Sequence, residues 1–71
     1  VTRAEFESKC ENHFGKYISV VVKGETIEGG LLGIDSGEDD YEGYIRIQPY
    51  TRRASVVVEI YQIDFNQCKF E

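Results

Sequence analysis

The sequence predicts a mainly β fold: one N-terminal helix, then a five-stranded, strongly bent antiparallel sheet closed into a small barrel. Three observations predict it. Apolar residues keep a helical spacing only as far as Phe14, and from Lys16 onward they alternate with a period of two over five short segments. A Gly29-Gly30 pair interrupts the second of these segments in mid-course. Glycine weakens a strand interior, and a pair there marks the bend with which a small barrel turns its corner. A flat two-layer α+β sandwich is the competing architecture.

The helix is predicted over residues 3–14. Thr2-Arg3-Ala4-Glu5 fits the capping box, in which Thr caps the backbone and Glu reaches back to it. Phe6, Cys10 and Phe14 then form one apolar stripe. Gly15 stands where a helix takes a left-handed stop, and His13 falls in the last turn, where a cation suits the helix dipole. The first strand follows from Lys16, with Ile18, Val20 and Val22 alternating and β-branched residues dominating. Lys23-Gly24-Glu25 is a tight turn. The second strand runs over residues 26–34, and the polar loop Asp35-Ser36-Gly37-Glu38-Asp39-Asp40 follows. The third strand covers residues 44–48 and stops at Pro49, which lacks a ladder donor. The fourth covers 54–60, centred on Val56-Val57-Val58, and the fifth covers 63–70, with Ile63, Phe65 and Phe70 as its apolar positions.

Seventy-one residues, 8.1 kDa, make one domain spanning residues 1–71. A chain of this mass buries only about 60% of its unfolded surface, exposing roughly 4,500 Å² when folded. Such a thin margin often leans on a disulfide, a metal or a partner subunit. No apolar run exceeds three residues, which excludes a membrane-spanning helix from the stretch in hand. Thirteen acidic against eight basic residues give a net charge of −5 and exclude non-specific DNA coating, which requires several phosphates to be neutralised together. Two cysteines, Cys10 and Cys68, form neither a Cys-x-x-Cys pair nor a zinc quartet; they read as reduced thiols of a cytoplasmic protein, with a single Cys10–Cys68 bridge as the other reading.

The chemistry-bearing residues are few. Neither a nucleophile–histidine–acid set nor a phosphate-cradling glycine loop is present, so the sequence points away from an enzyme and from a bound cofactor. The acidic loop lacks the ligand spacing of an EF-hand, and a solvated loop is the reading adopted over a metal site. Recognition of single-stranded nucleic acid wants aromatic faces beside cations. Tyr44, Arg46, Tyr50, Arg52 and Arg53 supply that combination within ten residues. A solvated turn with charges that protect a sheet edge is the other reading of the same cluster.

The stretch Lys16–Asp35 resembles the first conserved block of the Sm-like (LSM) family: an alternating strand, a turn glycine, a second glycine, then x-Leu-x-x-x-Asp. Gly24, Gly29, Leu31 and Asp35 fall on those marks in register, and helix-then-five-strands matches the family layout. The second block, an Ile-Arg-Gly stretch between strands 4 and 5, has no counterpart in residues 59–66. Gly37 and Asp39 stand where the family carries a base-stacking residue and a base-binding Asn. The resemblance implies a homo-oligomeric ring of five to seven copies, with strand 4 of one subunit pairing with strand 5 of the next through Val56, Val57, Val58, Ile63 and Phe65. It also implies single-stranded RNA as a partner and Asp35 as one wall of a nucleotide pocket. Asp35 equally suits the capping of its own loop. A small-barrel or ring scaffold that binds protein and no nucleic acid is the alternative function.

Overall fold

In the computed structural model, which describes residues 1–39 and 41–71, the N-terminal helix is α1 (Arg3–Glu11). The strands are β1 (Tyr17–Val22), β2 (Glu25–Asp35), β3 (Tyr44–Gln48), β4 (Val56–Glu59) and β5 (Lys69–Phe70). Asp40, placed by the sequence in the acidic loop, lies outside the described residues. The mainly β class with one helix stands, and all strand pairs are antiparallel in the order β4-β3-β2-β1-β5.

Closure into a barrel does not occur. β4 and β5 are the two ends of an open sheet, and no pairing joins them. The fifth strand is the reason. Residues Ile60–Gln62 and Phe65–Gln67 turn as 3-10 segments, the second opened by Asp64, whose carboxylate accepts from the Asn66 N–H at 3.0 Å. Only Lys69 and Phe70 remain to pair with β1, and Ile63 meets it at one isolated bridge to Val22. Two residues of strand cannot reach round to β4.

The bend in β2 is present and sharply localised. Residues 25–30 pair with β1 and residues 30–35 with β3, so Gly30 is the one position in both ladders. At the neighbouring glycine, the end of β3 passes directly over the inner face. A Cβ at Gly29 would sit 2.1 Å from the Gln48 carbonyl oxygen, closer than any real contact. One residue beyond, a bulge lies between Leu31 and Gly33, which leaves Leu32 half exposed. The β1–β2 link is a two-residue turn in which Lys23 (φ 52°) and Gly24 (φ 78°) are both left-handed, the type I′ geometry that matches strand twist.

The helix is shorter than its apolar spacing suggests. It ends at Glu11, and Phe14 is 50% exposed rather than part of the buried stripe. Sheet pairing overrides the helical period here: the Gly15 N–H donates to the Leu31 carbonyl, and the Leu31 N–H donates back to that of Lys16. His13 consequently lies past the helix end, where its Nε2 donates to the Tyr17 carbonyl and its ring stands edge-on to Phe70. The capping box forms as expected, with the Glu5 N–H donating to Thr2 Oγ1 and the Thr2 N–H donating to Glu5 Oε1.

Among the described residues the core is a single cluster. Phe6 and Cys10 from the helix meet Ile18, Val20, Leu31, Ile45, Ile47, Val58, Ile60 and Ile63. Phe6 is its centre on the helix side, with ring centroids 5.0 Å from Phe65 and 5.6 Å from Phe70. The isolated chain exposes 4658 Å², close to the roughly 4,500 Å² expected of a compact monomer of its mass.

Candidate functional site

Alternation along β2, β3 and β4 sets one face of the sheet toward the core and the other toward solvent. Ile45 pairs with Val58 and Ile47 with Val56 on the inner side, which leaves Tyr44, Arg46, Val57 and Glu59 outside. On this outer face a shallow groove of about 240 Å³ is lined by Leu32, Gly33, Ile34, Asp35, Tyr44 and Arg46. Arg46 sits opposite Val57 and donates to Ser55 Oγ at 3.3 Å. Tyr44 lies between Asp35 on one side and Glu59 on the other. Arg46 thus has Gly33 and the exposed Val57 as cross-strand neighbours, while the two carboxylates flank Tyr44.

Pro49 then takes the chain around a turn, and the remaining cluster residues follow it to a different place. Tyr50 is 71% exposed and stacks on Tyr17, ring centroids 6.2 Å apart. Tyr17 in turn donates its hydroxyl to Glu28 Oε2 at 2.6 Å, and this bond raises the Tyr17 pKa above the ordinary phenol value. Arg52 lines a second, larger cleft of about 380 Å³ together with Glu25, Thr26, Ile27, Glu28, Pro49, Thr51 and Val56. Arg53 is exposed and lines neither cavity. Of the six sequence-predicted residues, the fold brings Asp35, Tyr44 and Arg46 together and sends Tyr50, Arg52 and Arg53 elsewhere.

Asp35 caps its own loop: its Oδ1 accepts from the Gly37 N–H at 3.0 Å. Two further carboxylates of the connection to β3 behave alike, Asp39 Oδ1 accepting from the Tyr41 N–H and Glu42 Oε2 from the Glu38 N–H. No group of three or more potential metal ligands converges among the described residues. Arg3 clips this loop to the helix, donating to the carbonyls of Ser36 at 2.8 Å and Glu42 at 2.5 Å while its Nε holds Glu7.

The five residues expected at an interface divide as well. Val58 and Ile63 are buried in the core and Phe65 packs on Phe6, so these side chains already have partners within the chain. Val57 is 50% exposed and projects from β4, and Val56 is half-buried. Cys10 and Cys68 are free thiols, and burial pushes Cys10 up to about 12 and raises Cys68 less far.

Three features escaped sequence reasoning: the Tyr17–Tyr50 stack, the exposure of Leu32 and the second cleft. Adjacent leucines in an otherwise alternating strand signalled the bulge, because one of the two must leave the inner face. The stack and cleft carry no local signal, since residues thirty positions apart build them. No protein-family model, curated protein or solved structure matches the chain.

Proposed function

We propose that the chain is a non-catalytic subunit of a homo-oligomeric ring of the Sm-like kind, associated with single-stranded RNA. One observation carries the reading: the sheet is open, and its end strands β4 and β5 each have one unpaired outer edge. Unpaired backbone groups on an edge invite another chain, and a head-to-tail match of two different edges closes a ring when the rotation permits. The exposed Val57 on β4 adds apolar surface to that edge. The residue set Gly24, Gly29, Leu31 and Asp35 supports the family assignment. Tyr44 and Arg46, an aromatic ring and a cation side by side over a groove, support nucleic acid as the ligand.

The native mass is the test. Five to seven copies of 8.1 kDa give about 40 to 57 kDa by light scattering at micromolar concentration, and a strict monomer overturns the ring. For RNA, fluorescence titration with short oligo-U and oligo-A at low salt is expected to saturate. Binding is expected to weaken steeply with salt and to vanish on joint Ala substitution of Arg46, Arg52 and Arg53. A second reading, a protein-binding scaffold, is favoured by the carboxylates of Asp35 and Glu59 on either side of Tyr44 and by the net charge of −5. Absence of any shift with either oligonucleotide selects it.

A further inference from the structure

The relay along β2 leaves a third, concealed edge. In the first half of the strand only one side of the backbone is used. The two-residue turn makes Val22 and Glu25 a mutually bonded pair, and antiparallel alternation then assigns Val20–Ile27 and Ile18–Gly29 to the same class. The bond from the Leu31 N–H to the Lys16 carbonyl, 2.9 Å, continues that phase. Glu25, Ile27 and Gly29 therefore turn their N–H and C=O groups to β1, while Thr26 and Glu28 turn theirs away from it. On the far side β3 pairs only from Gly30 onward. Thr26 and Glu28 thus direct two N–H and two C=O groups into the cleft of about 380 Å³.

That cleft has the parts of a strand-binding groove. Its floor is apolar, made by Ile27, Pro49 and Val56. One wall is the open backbone of β2, and the other is the turn carrying Thr51 and Arg52. Its charged lining is Glu25 and Glu28 against the single cation Arg52, on a chain of net charge −5. We propose that this groove binds an extended basic peptide segment by strand addition to residues 25–28. Main-chain bonds form at Thr26 and Glu28, alternate apolar side chains lie over Ile27 and Val56, and the intervening cations face Glu28 on the opposite face of the strand, while Glu25 shares the Ile27 face at the groove's end. Residues 25–28 span about 13 Å of strand, enough for the two-residue repeat to engage twice. The groove takes the Val56 side chain from β4 but uses the outer backbone edge of neither β4 nor β5.

The experiment uses the full chain, ¹⁵N-labelled, and a capped hexapeptide alternating lysine and valine. In the free protein the Thr26 and Glu28 amides are expected to exchange with solvent much faster than that of Ile27, which bonds to Val20. Saturating peptide is expected to slow both by about tenfold or more, with the Ile27 rate unchanged. A glutamate–valine peptide, or the lysine peptide N-methylated at its inward amides, is expected to bind about tenfold more weakly or not at all. Glu25→Gln with Glu28→Gln is expected to weaken the lysine peptide to a similar degree while leaving the exchange pattern of the free chain intact. Thr26 and Glu28 amides already protected in the free protein would overturn the proposal. So would equal binding of both peptides, protection appearing on β4 instead, or oligo-U perturbing the Thr26 and Glu28 amides while the lysine peptide does not.

Discussion

A methyl group at Gly29 would overlap the Gln48 carbonyl and crowd Pro49, whereas at Gly30 it would meet nothing within 4 Å. Gly29→Ala is therefore expected to cost about 2–4 kcal/mol, because the obstacle is backbone that cannot rotate aside. For a domain of this size that lowers the melting temperature by roughly 10 °C or more, measurable by circular dichroism. Gly30→Ala is expected to be neutral or to stabilise by up to about 1 kcal/mol through the unfolded chain. The glycine pair was legible in the sequence as a bend, but which member bears the close approach depends on how β3 crosses, and that is a tertiary fact. Cys10 gives a second prediction. Its folded-state pKa, about 12, lies above the ~8.5 of an unfolded thiol, so its contribution is complete below the unfolded value and is lost as pH rises toward 12. Cys10→Ala is expected to flatten the alkaline limb of a stability-versus-pH curve. In the native protein at pH 8, a thiol reagent is expected to label half-buried Cys68 well before Cys10.

The helix start was readable and its end was not. Thr2 and Glu5 announce the cap in the sequence, and Thr2→Ala is expected to cost about 1 kcal/mol in urea unfolding. The same hydrogen bonds hold the Glu5 carboxyl below its usual value. Their contribution is present above the unfolded carboxylate pKa and fades as pH falls through the lowered one. Phe14 had the right spacing for the apolar stripe, yet the pairing of Gly15 and Lys16 with Leu31 stops the helix before it. The fifth strand failed similarly, because Asp64-Phe65-Asn66 carries turn chemistry that the apolar alternation of Ile63 and Phe65 masked. The helix remains the lid of the core. Phe6→Ala, which empties the space between Phe65 and Phe70, is expected to cost about 3–5 kcal/mol and to leave the chain largely unfolded at 37 °C.

Across the whole molecule, the strand count and the succession of elements along the chain were legible, while closure and the grouping of the basic residues were not. Arg46 and Arg52 are six positions apart, but Pro49 lies between them and turns the chain from the outer sheet face into the cleft beside β2. Distance along a chain says little about proximity once a turn intervenes. The exposed area of the single chain is close to what a monomer of 8.1 kDa is expected to show, so its core forms without a partner, and the proposed ring would add to it. Stability is accordingly expected to change little on dilution into the nanomolar range if the subunits separate, a distinction from obligate oligomers that thermal melts at two concentrations will reveal.

The double duty of Gly30 also sets a timetable. The β1–β2 hairpin closes over two residues and needs no other part of the chain, an event of microseconds. The β2–β3 ladder waits for the longer connection from Asp35 to Tyr44 to find its ends, and β3 then lands across Gly29. Folding is thus expected to be polarised, with φ-values high for Val20→Ala and low for Ile45→Ala and Val58→Ala. Changes beyond Gly30 would then speed unfolding and leave the rate of folding almost untouched.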